Sequence, residues 1–204
     1  MNYKFLTLLI VIIFIGCTKL PEIIPEVVVD LSYKELKTNY NSCVGRGVMS
    51  SRGSLPWKLN YSFTSQNDSS FIQFRDIFGR RILFVQALPT EIQLWDMQKN
   101  LQSNSENGNS IPIFDIIESY DIAQILWGEI PKRFLENSVE SGFEKDSNSV
   151  NFKLSATKLG MALDRVTFNI DSLDTIIEFK IIERDYGRDN PQLLEGIPRN
   201  IPYY

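Results

Sequence analysis

The chain of 204 residues contains no histidine. That removes His-based triads, His general bases and His-containing zinc sites. Cysteine is almost as scarce, with only Cys17 and Cys43, so neither a thiolate metal cage nor a disulfide framework can form. Basic residues are outnumbered, 21 Lys and Arg against 25 Asp and Glu, giving a net charge of −4. A nucleic-acid partner is therefore not expected, because phosphate neutralisation needs a basic face. Long apolar runs are missing beyond Phe5–Ile15, whose span of roughly 17 Å is about half a bilayer core. What is present is ordinary: 43% apolar and 12% aromatic residues, enough for one core and too few for two comfortable domains.

Lys4 followed by Phe5–Ile15, broken only by Thr7, has the proportions of a secretory signal. Phe14-Ile15-Gly16-Cys17 then resembles the lipobox of bacterial lipoproteins. The resemblance implies that Cys17 is diacylglycerylated, that cleavage follows Gly16 and that the new amine is acylated. Residues 1–16 are thus expected to be a signal peptide. Residues 17–29, with Pro21 and Pro25 and no helical periodicity, are expected to be a lipidated tether. Thr18 stands where an Asp would resemble a retention signal, so the implied destination is the outer membrane, facing the periplasm. With Cys17 lipidated, Cys43 reads as a small buried apolar side chain.

Residues 30–204 are expected to form the folded domain. Asp30 or Ser32 can cap a short helix to about Thr38, with Leu31, Leu36 and Tyr40 facing inward. Strand patterns follow from Val44: Trp57, Leu59, Tyr61 and Phe63 alternate with polar residues, and Asn67-Asp68-Ser69 marks a turn. Phe71–Phe74, Ile82–Val85 and Glu91–Trp95 read as further strands. Residues 99–110 read as a polar surface loop. Ile113, Ile116, Ile117, Tyr120, Ala123, Gln124 and Trp127 fit one long helix ended by Gly128. Strands return around Phe152, Val166–Ile170 and Ile177–Ile181. Tyr186–Asn190 reads as a turn, and Leu193–Ile201 as a last edge strand. Eight to eleven mostly antiparallel strands with one or two helices give an α+β or mainly β, barrel-like arrangement.

Catalytic patterns are poor. Glu140 with Glu144, and Asp171 with Asp174, lie in polar loop contexts without a motif, and Gly45-Arg46-Gly47 lacks the third glycine and following helix of a phosphate cradle. The expectation is a non-enzyme without cofactor or metal. The unusual feature is Asp76-Ile77-Phe78-Gly79, two large apolar residues at a turn position that is normally polar.

The order of elements resembles LolB, the outer-membrane lipoprotein that accepts lipoproteins from a periplasmic carrier and inserts them in the membrane. The resemblance rests on Gly45-Arg46-Gly47, the aromatic strand Trp57–Phe63, Asp76–Gly79, Ile111-Pro112 and Ile125-Leu126-Trp127-Gly128-Glu129-Ile130-Pro131, and covers about residues 32–185. It implies a half-closed, curved antiparallel β-barrel of about eleven strands, covered by short helices. It further implies a membrane-inserting loop at Ile77, Phe78 and Gly79, with Phe78 at the family's inserting leucine. Acyl-chain binding is expected from Trp57, Leu59, Tyr61, Phe63, Phe74, Leu94, Ile116, Tyr120 and Trp127. The implied partners are a LolA-like periplasmic lipoprotein carrier, the acyl chains of its cargo and the outer membrane, with the protein itself a monomer. The second reading is a lipid-anchored module that binds a hydrophobic ligand or partner protein without transferring it. Alternation alone fits both a packed core and an accessible cavity.

Overall fold

A run of alternating strands builds one open sheet. The computed structural model describes residues 32–54, 56–66, 68–99, 101–104, 112–136, 142–145 and 148–188. The expected signal peptide, Cys17, the tether and the Leu193–Ile201 strand lie outside these residues. Ser32 caps α1 (Tyr33–Asn39) through a capping box with Glu35, and Tyr33 and Leu36 face inward. Six strands follow: β1 (Ser42–Gly53), β2 (Trp57–Gln66), β3 (Ser69–Arg75), β4 (Arg81–Ala87), β5 (Ile92–Asp96) and β6 (Leu101–Asn104). A 3₁₀ turn (Pro112–Asp115), α2 (Ser119–Trp127) and α3 (Lys132–Glu136) come next. The chain then returns as β7 (Gly142–Lys145), β8 (Asn148–Thr157), β9 (Gly160–Ile170) and β10 (Thr175–Gly187).

The described residues give ten strands in the order β6-β5-β4-β3-β2-β1-β10-β9-β8-β7, with β6 and β7 as unpaired edges. Every neighbouring pair is antiparallel. The long β1–β10 pairing closes the meander, joining the two ends of the described sheet sequence at its centre. One face carries the core: Tyr61 and Phe63 of β2, Ile72 and Phe74 of β3, Val166 and Phe168 of β9, Ile177 and Phe179 of β10.

Gly45 and Gly47 owe their places to that core. A Cβ at Gly45 would stand 2.2 Å from the Glu183 carbonyl oxygen of β10 and 2.6 Å from the Phe63 ring, and one at Gly47 would stand 2.1 Å from the Lys180 carbonyl oxygen and 2.3 Å from Tyr61. The bare backbone lets both rings lie across β1, where Tyr61 stacks on Phe179 at 4.3 Å.

Three expectations change. The polar stretch from residue 99 contains β6, because its backbone pairs with β5 although its side chains carry no apolar alternation. Tyr186 is not in a turn: β10 runs through Gly187, Tyr186 pairs with Cys43, and its hydroxyl donates to the Trp127 carbonyl at 2.6 Å. The single long helix is two pieces, the 3₁₀ turn and then α2, separated at residues 116–118.

Candidate apolar site and projecting loop

The break before α2 decides which side chains face the sheet. A continuous helix from Ile113 would turn Tyr120 inward. A restart at Ser119 shifts the phase, and Ile122, Ile125 and Leu126 point at the core instead. These three, with Ile113, Phe114 and Ile117, cover Ile72, Phe74, Val166, Phe168 and Phe179 of the sheet. The space left between them is about 20 Å³ and entirely apolar-lined. That is room for about one water, against the roughly 300 Å³ or more of a ligand pocket. The interior is filled, and residues 112–127 are its lid.

The lid is held differently at its two ends. At the C-terminal end, Gly128 (φ 102°) forms a Schellman stop, with Gly128 N–H bonded to Ile125 O and Glu129 N–H to Gln124 O. The Arg184 guanidinium donates to Leu126 O at 2.6 Å, Ile125 O at 3.3 Å and Leu163 O at 2.7 Å, placing a cation on the negative end of the helix. Trp127 Nε1 donates to Ser65 Oγ at 2.9 Å, which also accepts from Ser70. At the N-terminal end, Ser119 Oγ donates to Leu88 O. Arg133 of α3 donates to Asp121 Oδ2 at 2.7 Å and to Ile116 O at 2.6 Å, and pairs with Glu118 at 3.5 Å. The first end is tied to the sheet centre; the second has a local cap, Glu118 N–H donating to Asp121 Oδ2 at 2.7 Å, and is joined to the rest of the chain by Ser119 and Arg133.

Of the nine residues expected to bind acyl chains, only Phe74 lines the remaining space. Tyr61, Phe63, Leu94, Ile116 and Trp127 are buried in the packed core, and Trp57 and Leu59 are half-buried at its rim. Tyr120 is a correction: it is 48% exposed, edge-on to Tyr33 at 6.2 Å, because the restarted helix turns it outward. Phe168 and Phe179 lay in strands that the alternation identified. Ile122, Ile125 and Leu126 could have been found only by recognising Glu118-Ser119 as a new helix start.

The β3–β4 connection is the opposite kind of site. Ile77 and Phe78 are 72% and 77% exposed, the two most exposed large apolar side chains among the described residues. The loop is shaped by its own polar groups. Asp76 Oδ1 accepts from the N–H groups of Phe78 and Arg80, both at 2.9 Å, and Asp76 Oδ2 pairs with Arg80 Nε at 2.6 Å. Arg75 donates to Gly79 O at 3.1 Å, and the Arg80 guanidinium sits 5.5 Å from the Phe78 ring centroid. Burial pushes the Asp76 carboxyl up, but the Arg80 side chain, the two N–H groups and the Arg80 charge outweigh it and hold it below its ordinary value. Gly79 at φ 79° has open space around it, so a side chain there is excluded by backbone conformation and not by crowding.

At the other end of the strands lies a groove of about 310 Å³ between α1, residues 127–130, α3 and the β8–β9 turn. Leu135, Leu154 and Met161 are its exposed apolar rim. Cys43 is buried beneath this end, its thiol pushed up to about 12 by burial, so it is a packed apolar group. Asp171 and Asp174 flank an exposed turn, and the Glu140–Glu144 pair lies outside the described side chains.

No family model matches the chain, and no curated protein matches it. Among solved structures it is similar to a DUF1329 family protein from Desulfovibrio piger, at 6% identity and a TM-score of 0.45, over 75% of this chain and 88% of that one. An uncharacterised conserved protein from Thermus thermophilus is similar at 10% identity and a TM-score of 0.45, over 82% and 92%. A LolA superfamily protein from Nitrosomonas europaea is similar at 8% identity and a TM-score of 0.47, over 74% and 88%.

Proposed function

We propose that the chain is a LolB-like acceptor of acylated cargo that discharges it into a membrane, with no enzymatic step. The observation that carries the reading is the finger: Ile77 and Phe78 held out into solvent by a loop whose shape is fixed independently of the core. A five-residue turn that holds both of its apolar side chains in water fits a partner that is itself apolar. The filled interior is then the closed state. An acyl chain of ~14 buried methylenes is worth roughly 11 kcal/mol, at about 0.8 kcal/mol per methylene, so passage through water is too slow to be useful. Cargo enters as the lid swings from its Arg133-held end, exchanging lid isoleucines for methylenes against the same sheet face, and leaves at the leaflet that the finger touches. In this reading Cys17 carries the lipid anchor, the outer membrane is the destination, and a LolA-like carrier is the donor. The alternative, an anchored module that binds without transfer, draws on the small interior volume.

The test joins two measurements on Phe78→Glu in the full chain. A projecting side chain adds little to the core, so stability should change by no more than about 0.5 kcal/mol. Transfer of a labelled acylated protein from a LolA-like carrier to vesicles should fall at least tenfold. Normal transfer by the variant would leave the binding-only module as the better account.

A further inference from the structure

The finger carries cations as well as apolar side chains. Arg75, Arg80 and Arg81 lie within or beside its five residues, in a chain whose net charge is −4. The one acid of the loop, Asp76, is occupied by Arg80 and by backbone N–H groups. Arg75 and Arg81 stand opposite each other in the β3–β4 register, at a bulge. Like charges directly opposite across a ladder are unfavourable, and Arg81 has no ion pair among the described residues. The meander adds Lys58 and Lys99 at the same end of the neighbouring strands, with Asp96 beside Lys99 and with Asp171 and Asp174 at the β9–β10 turn farther along the rim.

An apolar tip flanked by three arginines and one paired acid, a net +2, has the chemistry of a lipid interface whose headgroups are anionic: the apolar side chains enter the acyl region while arginines meet phosphates at its edge. We propose that the Arg75–Arg80–Arg81 collar selects anionic phospholipid surfaces for the finger, and so orients a negatively charged protein finger-first. This rests on the reading of the finger as membrane-entering and names the lipid class that it enters.

The experiment uses the full chain with Cys17→Ser, so that an environment-sensitive dye attaches at Ile77→Cys and nowhere else, Cys43 being buried. The protein is mixed with vesicles of phosphatidylcholine alone or with 30% phosphatidylglycerol, and the dye reports immersion of the finger itself, whatever the N-terminal run does. The expected result is immersion favoured by the anionic vesicles and screened by salt. Arg81→Gln should lower that preference about fivefold, the equivalent of roughly 1 kcal/mol per basic group near an anionic leaflet, and Arg81→Lys should restore it. Equal immersion in both vesicles, or a preference unmoved by Arg81→Gln, overturns the collar and leaves the insertion reading standing. A dye that stays in water with both vesicles overturns the insertion reading itself, and the collar with it.

Discussion

The finger and the lid are both short segments rich in isoleucine and aromatic residues, yet they are stabilised in opposite ways. Residues 76–80 fix their own shape: every bond named for the loop lies within residues 73–80, and its apolar side chains touch water. Residues 112–127 have local bonds too, with Ile117 N–H on Ile113 O and Glu118 N–H on Asp121 Oδ2, but they are docked by groups from elsewhere in the chain: Arg133 and Leu88 at the N-terminal end, Arg184 and Tyr186 at the other. The difference predicts where substitutions register. Changes in the finger alter what the surface meets, whereas changes in the lid alter whether the interior stays shut.

The largest effect should come from Arg133→Ala. Asp121 is 3% exposed, and removing its partner leaves a buried carboxylate with one fewer donor while freeing the Ile116 carbonyl. A cost of about 3 kcal/mol follows from breaking such a pair. Hydrogen exchange should show the loss at residues 116–121, with the Arg184-held end at 124–128 still protected. Uniform loosening of both ends would mean that the lid has no weaker side, and the contrast drawn above would fail.

A smaller effect should appear in base. Cys43 is buried and its folded pKa is raised to about 12, above the ordinary thiol value near 8.5. The neutral thiol is the form the fold accepts, so its contribution is complete below about pH 8.5. It is lost as pH rises toward the folded value, because only the unfolded chain then releases the proton. The wild type should lose up to about 1.4 kcal/mol more per pH unit than Cys43→Ala over that window. Parallel stability curves for the two would show that the thiol is accessible.

Much of the sheet was legible because strand alternation is a local signal. Trp57–Phe63, Phe71–Phe74, Val166–Ile170 and Ile177–Ile181 each fall inside an observed strand. The helix start was legible to within two candidates, Asp30 and Ser32, of which Ser32 is the cap. What escaped depends on partners distant in sequence. β6 is a strand only because β5 offers it an edge, and Tyr186 extends β10 only because β1 runs on to Ser42. The lid residues escaped through a phase error: one missed restart at Ser119 exchanged Tyr120 for Ile122, Ile125 and Leu126. The finger's exposure was visible as an anomaly, two apolar residues between Asp76 and Gly79, since nothing in a period-two pattern accounts for them.

The smallest effect on stability, and the sharpest on shape, should come from Asp76. Its carboxylate is the hub of the finger, accepting from Phe78 N–H, Arg80 N–H and the Arg80 guanidinium. Its folded pKa is depressed, so its contribution is complete above the ordinary aspartate value near 4 and disappears as pH falls through the lower folded value. Because the loop contributes nothing to the core, global unfolding should barely register this titration, while a dye at Ile77→Cys should change its environment in solution as Asp76 protonates. Asp76→Asn keeps an oxygen for the backbone donors but removes the charge that holds Arg80. It should therefore show, at neutral pH, part of the change that the wild type reaches only in acid, and no further transition on acidification. A dye signal that is flat with pH in both proteins would mean that the finger holds its shape without Asp76, and the separation between a self-fixed finger and an externally held lid would lose its physical basis.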